Sequence, residues 1–221
     1  MNRVLRKFLP TVAMLFMGVL GFSASTAQAA SFQEGINYGI INPPVSTQAE
    51  EGKVEVAEVF WYGCPHCYSL EPTIKAYLKQ KPENVTFNRV PAMISPNWAF
   101  HGKLFYVGQM LDTDGSKGVH DKIFEALQKQ RRRIDNDDQL RRFFEGIGFA
   151  ADDINNALKS MELKAQLEYA RDISANSGLD SVPTIIVNGK YLTSPSMLTG
   201  SGSMIEIINF LSSLAAQEAA K

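Results

Sequence analysis

Cysteine is nearly absent from this chain: two occur among 221 residues, and both fall within Phe60-Trp61-Tyr62-Gly63-Cys64-Pro65-His66-Cys67. So small a supply excludes a disulfide-stapled scaffold, which distributes several bridges along a short chain. Histidine is almost as scarce, with three residues. Only His66 adjoins the cysteines, and a tetrahedral zinc site needs about four ligands, so no metal is expected. Neither sign of charge dominates, with 22 basic against 23 acidic residues, which argues against nucleic acid as a partner. The one basic cluster, Lys129-Gln130-Arg131-Arg132-Arg133, reads as a solvated helix end. Long apolar runs are missing too. The stretch 9–22 is uncharged and mostly apolar, but a bilayer span needs about 20 such residues.

That short run has another meaning. Arg3, Arg6 and Lys7 precede it, and Ala27-Gln28-Ala29 follows as a small-residue cleavage pattern. Residues 1–29 therefore read as a secretory signal peptide removed after Ala29. The leader carries three of the 22 basic residues and none of the 23 acids, leaving a mature chain acidic by four charges. Its length suits one domain, or one domain carrying an insertion.

Residues 30–50 contain Asn42-Pro43-Pro44 and little periodicity, an extended lead-in. Residues 53–60 are rich in β-branched side chains and predict a strand. Helical spacing follows over 65–79, with Pro65 suited to a first helical turn and Pro72 placed to kink the helix. Residues 85–90 predict a second strand, giving β-α-β with a right-handed crossover. From 95 to 178 the pattern is helical, with segments opening after Ser95-Pro96 and running near 116–130, 136–145, 151–160 and 161–176. Pro183-Thr184-Ile185-Ile186-Val187 then predicts a strand, Asn188-Gly189 a type I′ turn and Lys190-Tyr191 a return strand. An amphipathic helix over 203–217 closes the chain. The order βαβ, helices, ββα implies an α/β core in two parts, 30–94 and 179–221, with an all-helical insertion over 95–178.

Outside the cytosol a cysteine pair is usually a disulfide. A Cys64–Cys67 bridge closes a ring of only four residues, though, and contributes about 2 kcal/mol against about 3 for a fifteen-residue loop. As a staple it is poorly placed, so chemistry is the better explanation, with a structural bridge as the bland alternative. Cys64 would stand at the N-terminus of the 65–79 helix, where unpaired amides and the positive dipole end favour a sulfur anion. His66, when protonated, adds positive charge, and Pro65 offers no competing donor. Cys67 would lie one turn inside and deeper. Cys64 is thus the expected nucleophile and Cys67 the resolving thiol. Stabilising the reduced form makes the disulfide a stronger oxidant.

Cys64-Pro65-His66-Cys67-Tyr68, together with Val182-Pro183-Thr184 and Val187-Asn188-Gly189-Lys190-Tyr191, resembles the DsbA family of thiol:disulfide interchange proteins of bacterial periplasms. The likeness extends over nearly the whole mature chain. It implies a thioredoxin-like α/β fold with the helical insertion, a periplasmic location, and no cofactor beyond the redox-active Cys64–Cys67 pair. It also implies a cis-proline at Pro183 beside the disulfide, with the backbone of Val182 open to an extended substrate strand. Clients would be secreted proteins with reduced cysteines, and reoxidation would come from a DsbB-like membrane partner that uses quinone. Cytosolic thioredoxins carry Gly-Pro between their cysteines, so Pro-His here supports oxidation over reduction.

Glu58 interrupts the apolar run of a central strand and is a candidate to pass protons to Cys67 through water; a strand-end carboxylate facing solvent is the alternative. Glu71, one turn after Cys67, matches an acidic position of the family and is a second relay candidate, with a solvated helix face as its alternative. Trp61 and Tyr62 are expected to be partly exposed beside the active loop and to receive substrate, whereas Trp98 and Phe100 are expected in the core. Two other readings compete. An isomerase of the DsbC kind carries a separate N-terminal dimerisation domain, for which 30–53 is too short, and no dimerisation segment stands out, so a monomer is expected. A chaperone-like adaptor would use the aromatic surface with the cysteines as bystanders.

Overall fold

The computed structural model describes residues 32–199 and 202–220; the expected leader over 1–29 lies outside them. Its first strand, β1 (Gly39–Ile40), sits in the segment read as an extended lead-in. No periodicity announces it, because two residues are too few to alternate. It pairs antiparallel with the last strand. Next come β2 (Val54–Phe60), α1 (Pro65–Leu78) and β3 (Val85–Pro91), the β-α-β unit, with β2 and β3 parallel. All seven residues of β2 are buried, as expected of a strand covered on both faces. Helix α1 runs on through Pro72.

The helices α2 (Pro96–Leu111), α3 (Val119–Phe124), α4 (Asp137–Gly146), α5 (Ala151–Lys159) and α6 (Met161–Asn176) stand between β3 and the next strand in the chain. Ser95, Asn136 and Ser160 cap α2, α4 and α6 with side-chain oxygens that accept first-turn amides, the capping chemistry of short polar residues. α3 continues into a π turn, Glu125–Lys129, and Arg131 then turns the chain with φ 53°. β4 (Thr184–Val187) and β5 (Tyr191–Thr193) form the hairpin. Asn188 and Gly189 both have positive φ, 51° and 68°, the geometry of the expected type I′ turn. A Cβ on Gly189 would run into the Val45 carbonyl, so glycine is required there for space as well as conformation. α7 (Met204–Ala219) ends the described chain and opens with a capping box between Ser203 and Glu206.

The sheet order is β1-β5-β4-β2-β3. One apolar cluster joins Val54, Val56, Ile185 and Val187 to Ile74 and Tyr77 of α1 and Ile207 and Leu211 of α7. The other joins Ala57, Val59, Val90 and Ile186 to side chains of α2 to α6. The inserted helices therefore close the face of the sheet that α1 and α7 leave open. The cysteine loop leaves β2 at the edge where these layers meet.

Candidate active site

β2 ends at Phe60, and four residues, 61–64, carry the chain into α1. Gly63 is one of them; a Cβ there would collide with the Trp61 ring. Cys64 occupies the N-cap in extended conformation and makes no side-chain bond to the first turn, and Pro65 is the first helical residue. The first-turn amides are therefore not engaged by the thiol. Instead the Cys64 thiol donates to the carbonyl of Val182 at 3.4 Å. Both cysteines are free thiols; Cys67 is wholly buried and Cys64 is 9% exposed. Burial pushes the Cys67 thiol far above the ordinary range, and the charges of Cys64 and Glu58 push the same way, against a backbone hydrogen bond from Trp61.

The Val182–Pro183 peptide is cis. Val182, Pro183, His66, Leu70 and Pro195 line a largely apolar cavity of about 570 Å³ that adjoins Cys64. His66 is exposed at its rim. In the dithiol form the Val182 carbonyl is occupied by the Cys64 thiol; a bridged Cys64 has no S–H to donate, which leaves that carbonyl free.

Below the cysteines lies a buried ionic network. Parallel pairing sets Glu58 of β2 beside Arg89 of β3, and Arg89 Nε donates to Glu58 Oε2 at 3.1 Å. One guanidinium amine of Arg89 donates to both oxygens of Glu71, at 3.1 and 3.3 Å. His120 of α3 bonds Glu71 Oε1 through Nε2 at 3.1 Å, and its Nδ1 lies 2.9 Å from the Tyr62 hydroxyl. Burial raises the Tyr62 pKa, so the phenol keeps its proton; it donates to Nδ1, and Nε2–H donates to Glu71. Neutral His120 satisfies both bonds, in keeping with burial lowering its pKa. Burial also opposes ionisation of Glu71, but His120, Arg89 and Lys75 outweigh it and hold the carboxyl below its usual range. A single guanidinium thus balances Glu71. Glu58, fully buried, is pushed up to about 7 by desolvation, with the Arg89 charge opposing and the Glu71 charge reinforcing. Its Oε1 has no partner among the described residues. Tyr62, Arg89, His120 and Asp121 line a cavity of about 330 Å³.

Several expectations are corrected. Tyr62 is 1% exposed rather than part of a substrate surface, because its ring packs edge-on to Phe60 and Phe124 and its hydroxyl is used by His120. Trp98 and Phe100 are half-buried, not core; the first turn of α2 brings Trp98 onto half-buried Trp61, rings stacked at 4.3 Å and 7°. Glu71 does not face solvent: it is 4% exposed, inside the network. Neither does Glu58, which is 1% exposed. Arg89 and His120 were not singled out from the sequence. Glu55, a second buried carboxylate of β2, was also passed over; it accepts from the Gln48 amide and Asn88. Among the described residues no group of three or more His, Cys, Asp or Glu is placed to hold a metal ion.

Relatives carry the same architecture. The thiol:disulfide interchange protein DsbA of Azotobacter vinelandii is 33% identical over 192 residues, covering 87% of this chain and 88% of that protein. The chain belongs to the DsbA family. Pseudomonas syringae pv. tomato DsbA is 36% identical over 188 residues, 85% of each chain. The DSBA-like thioredoxin domain matches residues 103–211. In three dimensions the chain is similar to the crystal structure of Pseudomonas aeruginosa DsbA, with TM-score 0.77 and 31% identity over 86% of this chain and 97% of that one. The fold is accordingly the thioredoxin-like fold of DsbA, and the family's members are disulfide oxidoreductases.

Proposed function

We propose that the chain is a periplasmic dithiol oxidant that donates its Cys64–Cys67 disulfide to newly exported proteins. The observation that carries this reading is the unequal setting of the two sulfurs: Cys64 at a helix N-cap beside the Val182 carbonyl, Cys67 sealed beneath it. A client thiolate attacks Cys64 Sγ, the Cys64–Cys67 bond breaks, and Cys67 departs with the electron pair. A second client thiolate then attacks the client sulfur of the mixed disulfide and releases Cys64 as a thiolate, which the first-turn amides of α1 favour. Two electrons and two protons pass from client to enzyme. A DsbB-like membrane protein would take those electrons to quinone and restore the bridge.

Cys67 cannot stay an anion where it is buried, so its departure needs a proton. Glu58 supplies it, through water, because its carboxyl keeps a proton up to about pH 7 and matches the working range of a general acid. Burial keeps the proton on Glu58, with Arg89 opposing and Glu71 reinforcing, and the cavity beside Arg89 and His120 gives the network access to water. Pro183, Val182 and Trp61 form the client-facing rim, with His66 exposed beside Val182 and Pro183. Export by the 1–29 leader places this chemistry where disulfides persist; among the described residues no helix is long and apolar enough to cross a membrane.

Purified oxidised protein should oxidise a reduced test protein mole for mole, and Cys64→Ser should abolish this. Cys67→Ser, mixed with a test protein that already carries a disulfide, should accumulate a mixed disulfide at Cys64. In that variant Cys64 attacks the bridge, one test-protein sulfur leaves as a thiolate, and no Cys67 thiol follows to resolve the product. Full activity in Cys64→Ser, or trapping at Cys67, would remove the assignment.

A further inference from the structure

The basic run 129–133 is not absorbed by the exchange chemistry, and the fold brings it to the mouth of the site. Arg131, Arg132 and Arg133 line a recess of about 610 Å³ whose other walls include Trp61, Pro65 and His101. Gly63 also lines it, so the recess abuts both sides of Cys64 in sequence. Across Cys64 lies the apolar cavity of Val182 and Pro183. A strand pairing at Val182 with its cysteine on Cys64 therefore runs from an apolar cavity toward a basic one.

The backbone holds the arginines there. Gln128 donates to the Tyr62 carbonyl at 2.7 Å, tying the π turn to the cysteine loop. Arg132 N donates to the Ala126 carbonyl at 2.9 Å, and Arg131 adopts φ 53°, a conformation that costs a residue with a Cβ about 1–2 kcal/mol. Glycine or asparagine would suit that position better for folding alone. All three arginines are exposed. Arg133 pairs with Asp135 at 2.8 Å and Arg132 lies over the Phe143 ring; among the described residues neither Arg131 nor Arg132 has a carboxylate partner. Two polar atoms of the same lining, Trp61 Nε1 and His101 Nδ1, are buried without a hydrogen-bond partner among the described residues, and His101 is only 6% exposed. The recess thus carries unmet polarity as well as unpaired positive charge, in a chain whose overall balance is slightly acidic.

We propose that this recess receives acidic side chains of the client segment flanking the cysteine joined to Cys64, so that cysteines in acidic surroundings are oxidised faster than those in neutral or basic ones. The proposal rests on the disulfide-donor reading and adds client selectivity to it. Arg131 and Arg132 supply guanidiniums to carboxylates, with planar donor pairs suited to them. Exposed charges act mainly on encounter rate and are screened by salt.

The test uses the full oxidised protein and three reduced dicysteine peptides that differ only in two positions beside the first cysteine: two Glu, two Gln or two Lys. At low ionic strength the Glu peptide should react about fivefold faster than the Gln peptide, and the Lys peptide slower still, with the spread closing in about 0.5 M salt. Arg131→Glu with Arg132→Glu should invert the order; both side chains are exposed, and circular dichroism checks the fold. Equal rates for the three peptides, or an order unchanged in the double variant, overturn the recess while leaving the donor reading intact. Failure to oxidise any of the peptides overturns the donor reading and the selectivity with it.

Discussion

Replacing Glu58 by glutamine should make the reduced protein increasingly stable relative to wild type as pH rises. The wild-type carboxyl is raised from 4.5 to about 7 by burial. Below pH 4.5 it is protonated in both folded and unfolded chains, and the stability held by that proton is fully present. Between 4.5 and about 7 the unfolded chain gives up the proton while the folded one keeps it, so stability falls with pH by up to about 1.4 kcal/mol per unit. Over the window the loss is about 3 kcal/mol. The Glu58→Gln variant has no such proton to lose. Its stability relative to wild type should therefore climb by about 3 kcal/mol between about pH 4 and pH 8, whatever the fixed offset from altered bonding to Arg89. Urea denaturation of both reduced proteins at half-unit intervals reads this directly; in melting temperature the climb is about 6–12 °C for a domain of this size. The climb in relative stability should accompany a loss in function, with exchange slowed on the order of a hundredfold as the proton donor disappears. A difference that stays flat across that range refutes the claim that Glu58 holds its proton.

Other substitutions probe the rest of the frame. Arg89→Met leaves two buried carboxyls without their cation and should cost about 3–5 kcal/mol in urea denaturation, with most of the loss removed by adding Glu71→Gln. His101 is lowered from 6.5 to about 4, chiefly by burial; its contribution is present above 6.5 and lost as pH falls toward about 4, so His101→Gln should flatten part of the acid limb of the stability profile. Gly189→Ala, with φ 68° and the Val45 carbonyl in the way of a Cβ, should lose at least about 1–2 kcal/mol, read from the denaturation midpoint.

How much of this was legible in the sequence follows from where each signal resides. The strands announced themselves because β-branched runs, an Asn-Gly turn and a Pro-led helix are local features. Strand β1 did not, since its two residues are held by β5 rather than by their own pattern. Cys64 and Cys67 needed only their spacing. Glu58 stood out as a charge inside an apolar strand, and a matching signal was overlooked: Arg89 is the fifth residue of β3 as Glu58 is the fifth of β2, and the parallel register runs Val54 to Val85. Reading the two strands together would have paired them. His120 gave no such warning, because α3 reaches Glu71 only through tertiary packing. Tyr62 and Trp61 are adjacent and equally aromatic; which one turns inward is decided by partners from α2 and α3 that neighbouring residues do not reveal.

A disulfide donor requires the bridged state to be the less stable of the two, with the N-cap sulfur easier to hold as an anion than in a disulfide. Guanidinium denaturation of the oxidised and the fully reduced protein, side by side at neutral pH, measures that ordering. The reduced protein should unfold at the higher denaturant concentration. An oxidised protein that outlasts the reduced one would contradict the donor role.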